Sequence, residues 1–292
     1  MSLCLMRAAL VPVAVLGLST PVWAQSAEEL WRLGGLNGPE SVMHDPVSGM
    51  IFVSTMGADP MAKDGDGAIA LIGSDGTLTK ADWVTGLDAP KGMAASGGKL
   101  YSADIDQIVE IDIATGAVLN RYPVTGAVLL NDVAAAPDGR IFISDTMANT
   151  VYLLQDGAVT TFASGPMLMG VNGLTVSDGA LIVANLGDLS AGFDKIKPGP
   201  VVSIDLATAA ITPYGAEGPV GILDGIESDG AGGMLVTDYM QGTVLRLLPG
   251  GTATVVATLA LGSAGLEVIV AEKLILVPIT PAGEVVGLRL TE

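Results

Sequence analysis

Apolar residues along this chain fall in runs of four to six, broken by Gly-Gly, Asp-Gly and Pro-Asp-Gly, and a helical period is nearly absent. Runs of this length between tight turns predict short strands. One layout recurs: a residue at the mouth of a small-residue strand, a turn, then a second strand. The units are "PESVMHDPVSGMIFVST", "PKGMAASGGKLYSAD", "LNDVAAAPDGRIFISD", "VNGLTVSDGALIVAN", "LDGIESDGAGGMLVTD" and "SAGLEVIVAEKLILVP". Their first markers are Glu40, Lys91, Asn131, Asn172, Asp224 and Ala264. The second markers, 13 to 15 residues later, are Thr55, Asp104, Asp145, Asn185, Asp238 and Pro278.

A third apolar strand follows each pair ("GAIALIG", "QIVEIDI", "NTVYLLQ", "PVVSIDL", "GTVLRLL", "EVVGLRL"), and usually a fourth. Repeats of about 40 to 50 residues with four strands each predict propeller blades. The sixth unit runs out after three strands at Leu290, so "AEELWRL" is expected to supply its fourth and close the ring. The expected fold is all-β: a six-bladed β-propeller over residues 25–292. A pair of β-sandwiches is the alternative, but it would not require the constant spacing.

Residues 1–24 read differently. A charged start, the apolar "AALVPVAVLGL" and the small-residue "STPVWAQS" predict an export signal cut after Ala24. Its apolar run is too short for the roughly 20 residues a bilayer span needs. The mature protein is thus expected in the periplasm or outside the cell, with no membrane attachment after cleavage. The single cysteine, Cys4, lies inside this segment, which removes disulfides, thiolate catalysis and cysteine metal sites from the mature chain. Cleavage leaves 12 cationic against 31 anionic side chains, a net charge of −19. Such acidity disfavours nucleic acid and anionic membranes as partners. A small-molecule substrate is the expected partner, with oligomeric state left open.

In a propeller the innermost strand of each blade lines a central channel. The first markers would therefore ring one mouth, bringing two carboxylates and two amides together. Hard oxygen donors of this kind suit calcium, magnesium or manganese better than zinc. The same groups could instead form a hydrogen-bonded plug, since buried carboxylates and amides must be paired. Lys91 bears on either reading: its ammonium could neutralise Glu40 or Asp224, bind substrate, or stabilise negative charge during a reaction.

The stretches "GPESV", "LLNDVAAAPDG", "VNGL" and "LDGIESDGAGG" resemble the regucalcin/gluconolactonase family of six-bladed propellers, over essentially the whole mature chain. The resemblance implies Glu40, Asn172 and Asp224 as ligands of a divalent metal ion, calcium first, with magnesium or manganese possible. It implies Asn131 as a further ligand or substrate contact, and Asp224 as general base. Sugar-lactone hydrolases of this family carry an arginine two residues before the asparagine, where this chain has Leu129. Met167 and Met169 stand just ahead of Asn172. Losing a cationic fork and gaining apolar surface points to a less hydroxylated substrate bound near Leu129, Met167, Met169 and Asn131.

The expected function is metal-assisted opening of a lactone or related ester, with Asp224 taking the proton and Lys91 stabilising the oxyanion. The alternatives are a non-catalytic binding or scaffold propeller and a phosphotriester hydrolase with the same metal. The only histidine, His44, is expected on a surface turn, and no Gly-x-Ser-x-Gly elbow occurs. "DGDG" at 64–67 is expected to be a turn, and the second markers to cap the loops after the second strands. The long loops 56–68 and 186–200 should rise over the ring as a partial lid.

Overall fold

A computed structural model describes residues 26–291; the expected export signal lies outside the described residues. Six four-stranded antiparallel sheets make up the molecule, and each is one blade. Blade 1 comprises β2 (Pro39–His44), β3 (Ile51–Thr55), β4 (Gly67–Ile72) and β5 (Leu78–Leu87). Blade 2 comprises β6 (Pro90–Ser96), β7 (Lys99–Asp104), β8 (Gln107–Asp112) and β9 (Val118–Pro123). Blade 3 runs from β10 (Leu130–Ala135) through β11 (Ile141–Asp145) and β12 (Thr150–Gln155) to β13 (Ala158–Ser164). In blade 4 the strands are β14 (Val171–Ser177), β15 (Ala180–Asn185), β16 (Val201–Asp205) and β17 (Ile211–Pro213). Blade 5 holds β18 (Leu223–Ser228), β19 (Met234–Asp238), β20 (Thr243–Leu247) and β21 (Thr254–Thr258).

The sixth blade closes the ring as the sequence predicts. Its inner strands are β22 (Glu267–Ile269), β23 (Leu274–Ile279) and β24 (Glu284–Thr291), and its outer strand is β1 (Ser26–Leu33) from the other end of the chain. The seam runs from Ser26 opposite Thr291 to Leu33 opposite Val285. Trp31 locks it: a Cβ on Gly287 would lie 2.2 Å from the indole, and Nε1 donates to the Ser74 carbonyl of blade 1 at 2.9 Å.

Middle strands read as continuous apolar runs because both of their faces are covered. In β11, Ile141 and Ile143 pack against Ala94 and Ile108 of blade 2, while Phe142 packs against Leu174 and Val183 of blade 4. Every blade–blade boundary carries such a cluster, the last joining Val53 and Ile51 of blade 1 to Leu276 and Val285 of blade 6. Burial of each such side chain stabilises by about 1.5–3 kcal/mol. The core is thus a cycle of six interfaces around a channel.

Candidate functional site at one channel mouth

Glu40, Lys91, Asn131, Asn172 and Asp224 each stand second in the inner strand of their blade. The strand register breaks there in all five, between Pro39 and Val42, Pro90 and Met93, Leu130 and Val133, Val171 and Leu174, and Leu223 and Ile226. A bulge of this kind re-aims side chains without ending the strand. In three blades a hydroxyl of the second strand catches the freed amide: Ser54 takes Ser41 N–H at 3.0 Å, Ser144 takes Asp132 at 2.8 Å and Thr237 takes Gly225 at 2.8 Å.

Inner strands approach most closely one residue after the marker. A Cβ on Gly173 would lie 2.2 Å from the Asp224 carbonyl, and one on Gly225 would lie 2.4 Å from Leu266 N. Glycine fills this position in blades 2, 4, 5 and 6 for that reason. Ser41 stands there in blade 1 and Asp132 in blade 3, and the Asp132 carboxylate crosses to blade 4, accepting from Leu174 N–H at 2.6 Å.

Of the second markers, Asp145 and Asp238 cap the loops after their strands as expected, accepting from Ala148 and from Met240 and Gln241. The Thr55 hydroxyl instead donates to the Ala68 carbonyl, and three markers also hold a segment that was not foreseen. Asp104 accepts the Asp88 and Ala89 amides, Asp145 those of Val128 and Leu129, and Asn185 Oδ1 that of Met169. Each clamps the segment leading into the inner strand of its own blade, so the second ring holds the first in place.

Glu40, Lys91, Asn131, Asn172 and Asp224 are all buried. Burial, then repulsion from Asp224, holds the Glu40 carboxyl well above the usual range, with Lys91 pulling the other way. Asp224 is pushed up to about 8 by burial and by Asp132, against a hydrogen bond from Asn172. Burial pushes Asp132 up to about 7. Burial also lowers Lys91, against the attraction of Glu40 and Asp104. Tyr239 belongs to this mouth as well: burial and the charges of Asp224 and Glu40 raise its phenol. Asp132 and Tyr239 escaped the sequence reading, although an acid in a column that elsewhere holds four glycines and a serine was a visible signal for Asp132.

Among the described residues no three Asp, Glu, His or Cys side chains gather as a metal set. A cation at the ring would therefore lean on the amides of Asn131 and Asn172 as well as on Glu40 and Asp224. Burial and mutual repulsion raise both carboxyls, and a hard, oxygen-seeking cation placed between them and the two amides would relieve that repulsion and favour the ionised, ligating form.

Lys91 is not ion-paired to the ring: among the described residues no contact within 4.0 Å joins it to Glu40 or Asp224. Its Nζ donates to the carbonyls of Pro60 at 2.9 Å and Ala89 at 3.0 Å. Pro60 lies in the loop 56–68, which Lys63–Asp106 and Gly65 N–H to Asp88 also fasten to blade 2. Within it, "DGDG" forms a turn, with Asp66 N–H donating to Asp64. The loop 186–200 is a hairpin, with Asp188 bridging Lys197, and is sewn to blade 5 through Gly199 and Gly221.

Leu129 is half-buried beside its marker, whereas Met167 is partly absorbed by the core between blades 3 and 4. Met169 borders two clefts of about 230 and 260 Å3, one with Met147 and Leu189, the other with Pro198 and Pro219. His44 is not on a turn. It ends β2, half-buried, at the opposite mouth, because the first strand traverses the channel before turning.

No protein-family model matches the sequence, and neither does any curated protein. Among solved structures, a gluconolactonase from Xanthomonas campestris is 18% identical, with a TM-score of 0.65 over 91% of this chain and 89% of its own. A putative gluconolactonase gives 15% and 0.65 over 92% and 93%. A catalytically inactive histidine-to-alanine variant of virginiamycin B lyase from Staphylococcus aureus, with quinupristin, gives 15% and 0.61 over 91% and 100%. At such identities the likeness is one of architecture: the chain is a six-bladed β-propeller, similar in fold to gluconolactonases and, at a lower TM-score, to virginiamycin B lyase.

Proposed function

We propose that the protein is an exported, metal-dependent hydrolase that opens a lactone or related ester at the mouth ringed by Glu40, Asn131, Asn172 and Asp224. The observation carrying this reading is the pair of buried acids, Glu40 and Asp224, held on separate blades with two amides and no ion-paired cation between them. Calcium is the first candidate for the ring, with magnesium and manganese next. When bound, such an ion would supply Lewis-acid polarisation of a carbonyl and a more acidic water. Asp224, oriented by Asn172, takes the proton from the attacking water. Lys91 supplies positive charge beside the ring and holds the loop 56–68 over it, limiting bulk water. Leu129 and Met169 place apolar surface where a polyhydroxylated ring would want donors.

A lyase reading is less favoured, because the sole histidine stands at the other end of the channel. A closed, non-catalytic binding or scaffold propeller has one observation behind it, the bond of Lys91 to the loop above the ring. The discriminating experiment is a substrate panel with and without chelator: aliphatic and aromatic lactones, gluconolactone and a phosphotriester. Chelator-sensitive turnover of the apolar lactones is expected. Exclusive phosphotriester turnover would transfer the site to the phosphotriester class, and no turnover would favour the binding propeller. N-terminal sequencing of exported protein, expected to begin at Gln25, tests export.

A further inference from the structure

A cavity of about 360 Å3 occupies the end of the channel opposite the ring. Each blade contributes to its wall: Met43, Met93, Val133, Leu174, Glu227 and Glu267, in blade order. The hairpin turns at 46–47 and 97–98 form its rim. Four of these six wall residues are apolar and two are acids from neighbouring blades, and His44, Asp45, Ser96 and Thr175 also line the cavity.

The acids are oriented but not neutralised. Thr175 donates its hydroxyl to Glu227 at 3.0 Å. Glu267 accepts backbone N–H groups from His44 at 2.8 Å and Val268 at 3.0 Å. These donors are uncharged; among the described residues lining the cavity there is no lysine or arginine, and the His44 imidazole is the one group there that can take up a positive charge. Burial and then repulsion from Glu267 hold the Glu227 carboxyl well above its usual range, and burial raises Glu267 to about 7. Two such groups facing one cavity need either protons or a cation.

We propose that this cavity binds a small organic ammonium ion, its charged head between Glu227 and Glu267 and its apolar body against Met43, Met93, Val133 and Leu174. A primary ammonium has three donors, and the cavity offers three acceptors: the two carboxylates and the free lone pair of the Thr175 hydroxyl. A bare divalent ion would want six to eight oxygens around it, which walls of methionine, valine and leucine do not supply. The volume lies in the range of small-molecule sites, roughly 300–1,000 Å3. Nothing in this inference depends on the chemistry proposed for the ring.

The test is calorimetric titration of the whole protein with butylammonium chloride, alongside butanol and calcium chloride. Saturable butylammonium binding is expected, weakened about tenfold or more in Glu227→Gln and in Glu267→Gln, as loss of a charge-assisted hydrogen bond implies. It should be unchanged in Asp224→Asn at the other mouth. Thr175→Val, which removes only the third acceptor, should weaken it too, and serves if a glutamine variant fails to fold. No saturable binding, equal binding of butanol, or binding that survives Glu227→Gln and Thr175→Val would overturn the proposal. So would calcium binding lost in Glu227→Gln without any for butylammonium.

Discussion

At the scale of single residues, the ring was legible because its members repeat in register. A polar side chain at the mouth of an apolar strand stands out once six such mouths are aligned. What the alignment could not supply is who holds whom. Lys91 is bonded to loop carbonyls rather than to an acid, because its long side chain passes the ring to reach Pro60. If the ring binds calcium, Asp224→Asn and Glu40→Gln should each remove most of the bound ion while the fold survives, since shape is kept and charge is lost. Unchanged metal content in both variants would take these residues off the ligand set. Lys91→Met separates chemistry from closure. With a catalytic cation removed, turnover should fall about 100-fold or more at normal melting temperature. A plug would instead lose stability, about 1–3 kcal/mol, as the Pro60 and Ala89 carbonyls are left without their donor. Leu129→Arg should move preference from aliphatic toward hydroxylated lactones; a wild type that already favours gluconolactone would defeat the apolar reading.

At the scale of elements, inner and middle strands were readable and outer strands less so. The reason is burial: β11 is buried throughout and opens with the apolar run Ile141–Phe142–Ile143, whereas β5 is mostly exposed and writes "LTKADWVTGL". β17 is only three residues long and leaves almost no pattern. The bulges were hidden, because one extra residue on the inner strand does not change composition. Blade 2 carries a separate polar cluster that titrates. Burial pushes Glu110 up, but bonds from Lys99, Tyr122 and Asn120 outweigh it and hold the carboxyl below its usual range. A depressed carboxylate contributes stability that is full above its unfolded value, about 4.3, and is lost as pH falls through the folded one. Glu110→Gln should therefore lower the melting temperature near neutral pH and leave a shallower decline on acidification below about pH 4. Parallel melting curves for variant and wild type across that range would contradict this.

At the scale of the whole molecule, the closed cycle of blades explains why a distant pair of chain ends matters: β1 and β24 join first residues to last. The repeat count and the shortfall of one strand in the last unit made that closure readable before any coordinates. The same closure creates one channel with two unlike mouths, an acid-and-amide ring at one end and an acid-lined cavity at the other. Sequence reading found the first because its residues align across blades. It passed over the second because the third position after the marker holds Met43, Ala94, Ala134 and Thr175 in the first four blades, so acids stand there only as Glu227 and Glu267. The central claim, that the ring is a metal site at which an ester is hydrolysed, is tested most directly by calcium titration of chelator-stripped protein, following lactone hydrolysis. The expected result is activity that rises from background and saturates at about one calcium per chain, as a single site of carboxylate and amide oxygens requires. Hydrolysis that is undiminished in the stripped protein, or that stays at background at saturating calcium, would contradict the account.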